Sequence, residues 1–149
     1  MVSRQRVGIR RWLFASLLAF YLVLSGMASR ADASGAVNLS GTVTGGSGKH
    51  PIYVALWDAQ SFLHKPVQQI RIEPQAERKF HFNVSAGRWA LSAFEDVNDN
   101  GVLDMGIFGP KEPSGFWHPF HAWRRPRFDD VAASIDYDTS DVEIKLSGK

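Results

Sequence analysis

The sequence predicts an all-β fold, an antiparallel β-sandwich of the immunoglobulin-like or transthyretin-like kind, with about seven strands and one long loop insertion. Three observations lead there. Short runs alternate apolar and polar residues, turn signals at 45–48, 73–74, 86–87 and 138–140 separate them, and no stretch of a dozen residues after the N-terminal region carries a helical period.

The first run, 37–43, points Val37, Leu39 and Val43 one way. Residues 52–58 are apolar at nearly every position, as expected of a central strand covered on both faces. Ile70 and Ile72 mark a half-buried strand over 69–73, and Phe80, Phe82 and Val84 mark another over 79–84. Trp89, Leu91 and Ala93 share a face of 88–95, while Val142, Ile144 and Leu146 do so near the C-terminus. One more strand is expected over 131–137, with Val131, Ala133, Ile135 and Tyr137 on one face. Phe80, Phe82, Trp89, Leu91, Val142 and Ile144 should form one core. Residues 97–130 break the pattern: they lack alternation and are rich in Gly, Pro and aromatic residues, the mark of a functional loop or a packed flap.

The N-terminus reads as an address. Arg4, Arg6, Arg10 and Arg11 precede an apolar run of 15 residues, 12–26, and small residues follow up to Ala33. That order is a secretory signal peptide over 1–33, leaving a single domain over 34–149. As a helix the run spans about 22 Å, short of the roughly 30 Å hydrocarbon core, so membrane attachment is expected only if the segment is retained. The implied location is periplasmic or secreted. Cleavage removes five of the 17 basic residues and one of the 15 acids, so 12 stand against 14 and the formal charge of +2 becomes −2. With only Arg124, Arg125 and Arg127 clustered, the domain lacks a phosphate track, and no nucleic-acid partner is expected. The absence of cysteine excludes disulfides, thiolate metal sites and thiol catalysis.

The run Asp96-Val97-Asn98-Asp99-Asn100-Gly101-Val102-Leu103-Asp104 carries the chemistry. Oxygen side chains at its first, third, fifth and ninth positions, with glycine at the sixth, match the front half of a calcium loop. The expected ligands are Asp96, Asn98, Asn100, the Val102 carbonyl and Asp104, with Glu112 as a later donor. Ile107 stands where a full EF-hand has its bidentate glutamate, so Ca²⁺ should bind weakly, on the order of 10⁻⁴ to 10⁻³ M. The competing reading is a hairpin closed by Asn-Gly, with no metal.

Phe116, Trp117, Phe120 and Trp123 concentrate four rings in eight residues. Trp117, Phe120 and Trp123 suit either a platform for a glycan or small apolar ligand or a flap over one face of the sandwich. His118 and His121 lack a nearby third metal ligand. No nucleophile elbow or Ser/His/Asp order stands out, so no catalytic residue is assigned. Glu95, Asp96 and Asp104 are carboxylates of the kind glycosidases use, but their Asn- and Gly-rich setting favours ion ligation. A binding or structural module is expected ahead of a hydrolase.

The order Ala86-Gly87-Arg88-Trp89, Phe94 through Asp104, Gly109-Pro110-Lys111-Glu112-Pro113-Ser114-Gly115-Phe116 and Pro126-Arg127-Phe128-Asp129-Asp130-Val131-Ala132 resembles the bacterial exported proteins grouped as domain of unknown function 2141. The resemblance covers about half of the region after Ala33. It implies a small β-sandwich in the bacterial envelope and brings no catalytic residues. Glu95 departs from the histidine that relatives tend to carry there, and the aromatic stretch 117–125 replaces small polar residues.

Overall fold

The computed structural model describes residues 35–120 and 124–148, so residues 1–33, where a signal peptide is expected, and also His121 and Trp123 lie outside the described residues. The alternating runs become β1 (Ala36–Gly45), β2 (Ile52–Trp57), β3 (Gln68–Ile72), β4 (Lys79–Ser85) and β5 (Gly87–Glu95). Then come β6 (Met105–Gly106), β7 (Gly109–Pro110), β8 (Ser114–Phe116), a helical turn α1 (Phe128–Val131), β9 (Ala132–Ile135) and β10 (Thr139–Leu146). Among the described residues no helix is long and apolar enough to cross a membrane.

Two sheets face each other. The smaller has the order β10-β1-β4; the larger runs β3-β2-β5, and the far side of β5 pairs with β9 along Gly87–Ala90 and with β8 along Ser92–Phe94. The fold is a β-sandwich, as expected, with one exception to its antiparallel pairing. β1 and β10 are parallel, and their register slips between Leu39 and Gly41. Parallel neighbours need a long crossover, and here the whole larger sheet supplies it.

Burial explains the layering. Leu39, Phe80, Phe82, Val84, Val142 and Ile144 of the small sheet meet Ile52, Val54, Leu56, Leu91 and Ala93 of the large one, with Trp89 and Trp117 packed at the margin. Each large side chain removed from water contributes about 1.5–3 kcal/mol, which alternation delivers to one face per strand. The large sheet is covered on its outer face too. There Ala55, Trp57, Ala90 and Val131 gather Phe62, Phe116, Phe120 and Phe128 over them, which is why β2 is apolar at almost every position.

Two boundaries differ from the sequence reading. Residues 97–130 are not one unstructured insertion, since they contain β6, β7 and β8, and β8 belongs to the main sheet. The strand expected over 131–137 is divided. Asp130 accepts the Arg127 N–H at 2.7 Å and binds Arg124 at 2.7 and 2.8 Å, which winds Phe128–Val131 into a helical turn. Val131 therefore joins the outer cluster while Ile135 joins the inner one, and Tyr137 lies past the strand end, exposed.

Candidate functional site

β5 ends on one acid and another follows it at once, and both are wholly buried: Glu95 and Asp96 are each 0% exposed. Their backbone N–H groups bind opposite neighbours, Glu95 to the Pro113 carbonyl at 2.9 Å and Asp96 to the Pro51 carbonyl at 2.8 Å. The side chains are taken by different loops. A buried carboxylate persists only if donors replace its lost water, so the donors define what each can do.

Glu95 belongs to the turn after β1. Its Oε1 accepts the Ser47 hydroxyl at 2.6 Å and the His50 N–H at 3.4 Å, and its Oε2 accepts the Ser47 N–H at 2.6 Å. Gly46 at φ +66° makes room, because a Cβ there would run into Oε2. Burial pushes the Glu95 carboxyl up, but the Ser47 hydroxyl and the N–H groups of Ser47, His50 and Gly48 outweigh it and hold the group below the ordinary glutamate range.

Asp96 turns the other way and closes the acidic loop upon itself. Its Oδ1 accepts the Asn100 N–H at 3.1 Å and its Oδ2 the Gly101 N–H at 2.6 Å, with Gly101 at φ +77°, the sharp turn the sequence asked of it. Asn98 donates its side-chain amide to Asp104 Oδ2 at 2.9 Å, and Asn100 Oδ1 accepts the Val102 N–H at 2.8 Å. Asp96, Asn98, Asn100 and Asp104 thus fold onto one compact turn. Glu112, 5% exposed, staples it from behind, accepting the Val97 N–H at 2.8 Å and the Asp104 N–H at 3.1 Å. On the outside, Asp99 pairs with Arg71 at 3.0 Å, and Arg71 lies 6.0 Å from the centre of the Tyr53 ring.

Beside the loop lies an open cleft of about 550 Å³ lined by Ser47, His50, Glu95, Val97, Lys111 and Pro113, among others. Sequence reasoning missed this cleft and the Ser47 grip on Glu95. The signal was the Gly45-Gly46-Ser47-Gly48 turn, whose successive N–H groups suit an anion. Among the described residues no three His, Asp or Glu side chains form a ready metal cluster. The loop offers amide and carboxylate oxygens from Asp96, Asn98, Asn100 and Asp104, each carboxylate oxygen having more than one acceptor site.

The aromatic candidates part company. Trp117 packs at the margin of the inner core and Phe120 against the outer cluster, with Arg124 5.0 Å from its ring centre. Phe116 ends β8 and Trp117 follows it, and the two pack against opposite clusters, Phe116 the outer and Trp117 the inner. His118, exposed, leans its ring on Trp117 at 4.6 Å between centres.

These features define a class: a two-sheet β-sandwich that buries paired acids at one end of its central strand and closes a polar loop around the second of them. The chain belongs to the family described as "Uncharacterized protein conserved in bacteria (DUF2141)", whose model matches residues 43–144, well over half its length. No match is found among curated proteins or among solved structures.

Proposed function

We propose that this is an exported binding or structural module of the bacterial envelope whose acidic loop is stabilised by a weakly bound Ca²⁺. The observation that carries the reading is the closure of the loop on Asp96, with Asn98 reaching Asp104 at 2.9 Å, so that four oxygen-bearing side chains share one turn. A hard divalent ion takes six to eight oxygens, and carboxylates, amides, the Val102 carbonyl and water would make up that number. Export is supported by the basic, apolar and small-residue order of residues 1–33. N-terminal sequencing of the product should find Ser34 at or near its start; an intact Met1 on a membrane-bound product means that the segment is retained as an anchor instead.

The calcium test is a thermal melt in Ca²⁺, in Mg²⁺ and in chelator. At ~10 mM Ca²⁺ and a dissociation constant of ~10⁻⁴ M, mass action stabilises the fold by about 2.7 kcal/mol. Mg²⁺ should do much less, since it demands tighter octahedral geometry. Asp104→Ala should abolish the calcium response and leave the melt in chelator nearly unchanged, because Asp104 is half-buried and its carboxylate holds only Asn98. Asp96→Ala is a poorer probe, as it also strands two N–H groups. Identical wild-type melts in calcium and chelator at equal ionic strength refute the ion site.

A further inference from the structure

Asn100 is the one asparagine of the chain that glycine follows; Asn38, Asn83 and Asn98 precede Leu39, Val84 and Asp99. The backbone nitrogen of the next residue can attack an asparagine's side-chain amide unless a side chain on that residue stands in the way. Gly101 has none. Asn100 differs from the others in its leaving group too. The amide nitrogens of Asn38, Asn83 and Asn98 are tied, to Asp138 at 3.2 Å, to the Asn38 Oδ1 at 3.3 Å and to Asp104 at 2.9 Å. Asn100 is exposed, and its amide nitrogen has no hydrogen-bond partner among the described residues.

The folded loop supplies the remaining conditions. Asn100 Oδ1 accepts the Val102 N–H at 2.8 Å, which folds the side chain back along the Gly101 peptide and sets a donor on the oxygen where charge develops as the nitrogen adds. The Gly101 N–H points at Asp96 Oδ2, 2.6 Å away, so the proton that this nitrogen must lose already has an acceptor. Nucleophile, carbonyl and proton acceptor meet in one turn.

We infer that Asn100-Gly101 is a self-modification site, at which the folded loop converts asparagine to aspartate and isoaspartate. The Gly101 nitrogen bonds to Asn100 Cγ and gives its proton to Asp96; the bond from Cγ to the amide nitrogen breaks, and that nitrogen takes up the proton and leaves as ammonia. Nothing is oxidised or reduced. Water then opens the cyclic imide at either carbonyl. Opening at the side-chain carbonyl leaves aspartate, a new carboxylate at the fifth position of the loop, and added ligand charge tightens a calcium site. Opening at the main-chain carbonyl leaves isoaspartate, which lengthens the backbone between the two N–H groups that Asp96 holds and loosens the knot. Both effects on the ion rest on the calcium reading above; the conversion itself does not.

The protein is kept warm at neutral pH, folded or in denaturant, and sampled by peptide mass mapping, which reads the change from amide to acid, and by isoaspartyl methyltransferase labelling. Asn100 should convert at least about tenfold faster in the folded protein, the lower end of what a placed proton acceptor supplies, while Asn98 stays intact. Asp96→Asn keeps an oxygen acceptor but cannot take the proton, and should bring the rate down to that of the unfolded chain. Should that variant fail to melt cooperatively, the wild-type ratio alone decides. Asn100→Gln, whose longer side chain closes a less favourable ring, should remove the isoaspartate label. Conversion in the folded protein that is no faster than in denaturant overturns the inference, as does a cooperatively melting Asp96→Asn that converts at the wild-type rate. Ca²⁺ on Asp96 would withdraw the proton acceptor, so slower conversion in calcium than in chelator supports both readings. With the folded protein still converting faster, but no calcium effect on either rate or melt, the inference stands and the calcium reading falls.

Discussion

Glu95 and Asp96 are neighbours in sequence and alike in charge and burial, yet they are held by opposite means. The turn over residues 46–50 closes on Glu95 with a hydroxyl and N–H donors, two of them on Oε1 alone. Asp96 receives a single N–H on each oxygen, and both come from the loop it begins. The first is a fastening between distant segments. The second is a local knot whose other oxygen-bearing side chains, Asn98, Asn100 and Asp104, stay within reach of solvent. The contrast teaches that burial and charge do not mark a ligand site; what marks it is acceptor capacity left over once the protein's own donors are counted.

Removing a large side chain from the core between the sheets should have the largest effect. Phe82→Ala opens a cavity beneath both sheets and should cost about 3–5 kcal/mol, enough to unfold a marginal domain, as measured by denaturant melts. Glu95→Gln separates the pair: it leaves charge-assisted donors without a charged acceptor and should cost about 1–3 kcal/mol, yet leave the calcium response intact. If Glu95→Gln abolishes that response, the two acids act as one site and the comparison fails.

Acid should distinguish them next. Because the folded chain holds Glu95 below its ordinary value of 4.5, the unfolded chain takes up that proton first as pH falls. The contribution of Glu95 is therefore complete above about pH 4.5 and is lost as pH drops through the depressed folded value. Melts of wild type and Glu95→Gln should converge in that acidic range, and parallel curves down to strong acid would refute the grip by Ser47. The smallest effect belongs to Arg71→Ala. Its pair with Asp99 lies on the outside of the knot, and exposed pairs are screened, so the melting midpoint should scarcely move.

The strand phases were legible because a half-buried strand writes burial into every second residue: Phe80, Phe82 and Val84 all face inward as their spacing requires. β8 was not, since Ser114-Gly115-Phe116 holds its place by pairing with β5 and by the bridge from Ser114 to Ser147, neither of which leaves a local pattern. The compact turn of the acidic loop was visible in its Asp, Asn and Gly spacing. Glu95 was read as a departure from its relatives and as one of three carboxylates of the kind glycosidases use, but not as a fastening, because its donors lie 45 to 48 residues away. Ile107 was noticed for the ligand it is not, while its exposure depends on a hairpin too short to announce itself.

The parallel pairing of β1 with β10 has a kinetic consequence. Leu39 stands in register with Thr139, so the smaller sheet cannot be completed until nearly the whole chain is available. Contacts that distant close large loops before they return any stability, and domains built on them fold in milliseconds to seconds. During synthesis β1 and β4 can meet early, but their outer neighbour arrives last, leaving one edge of β1 open until then. The last strand therefore sets the moment at which an extended chain becomes a closed one.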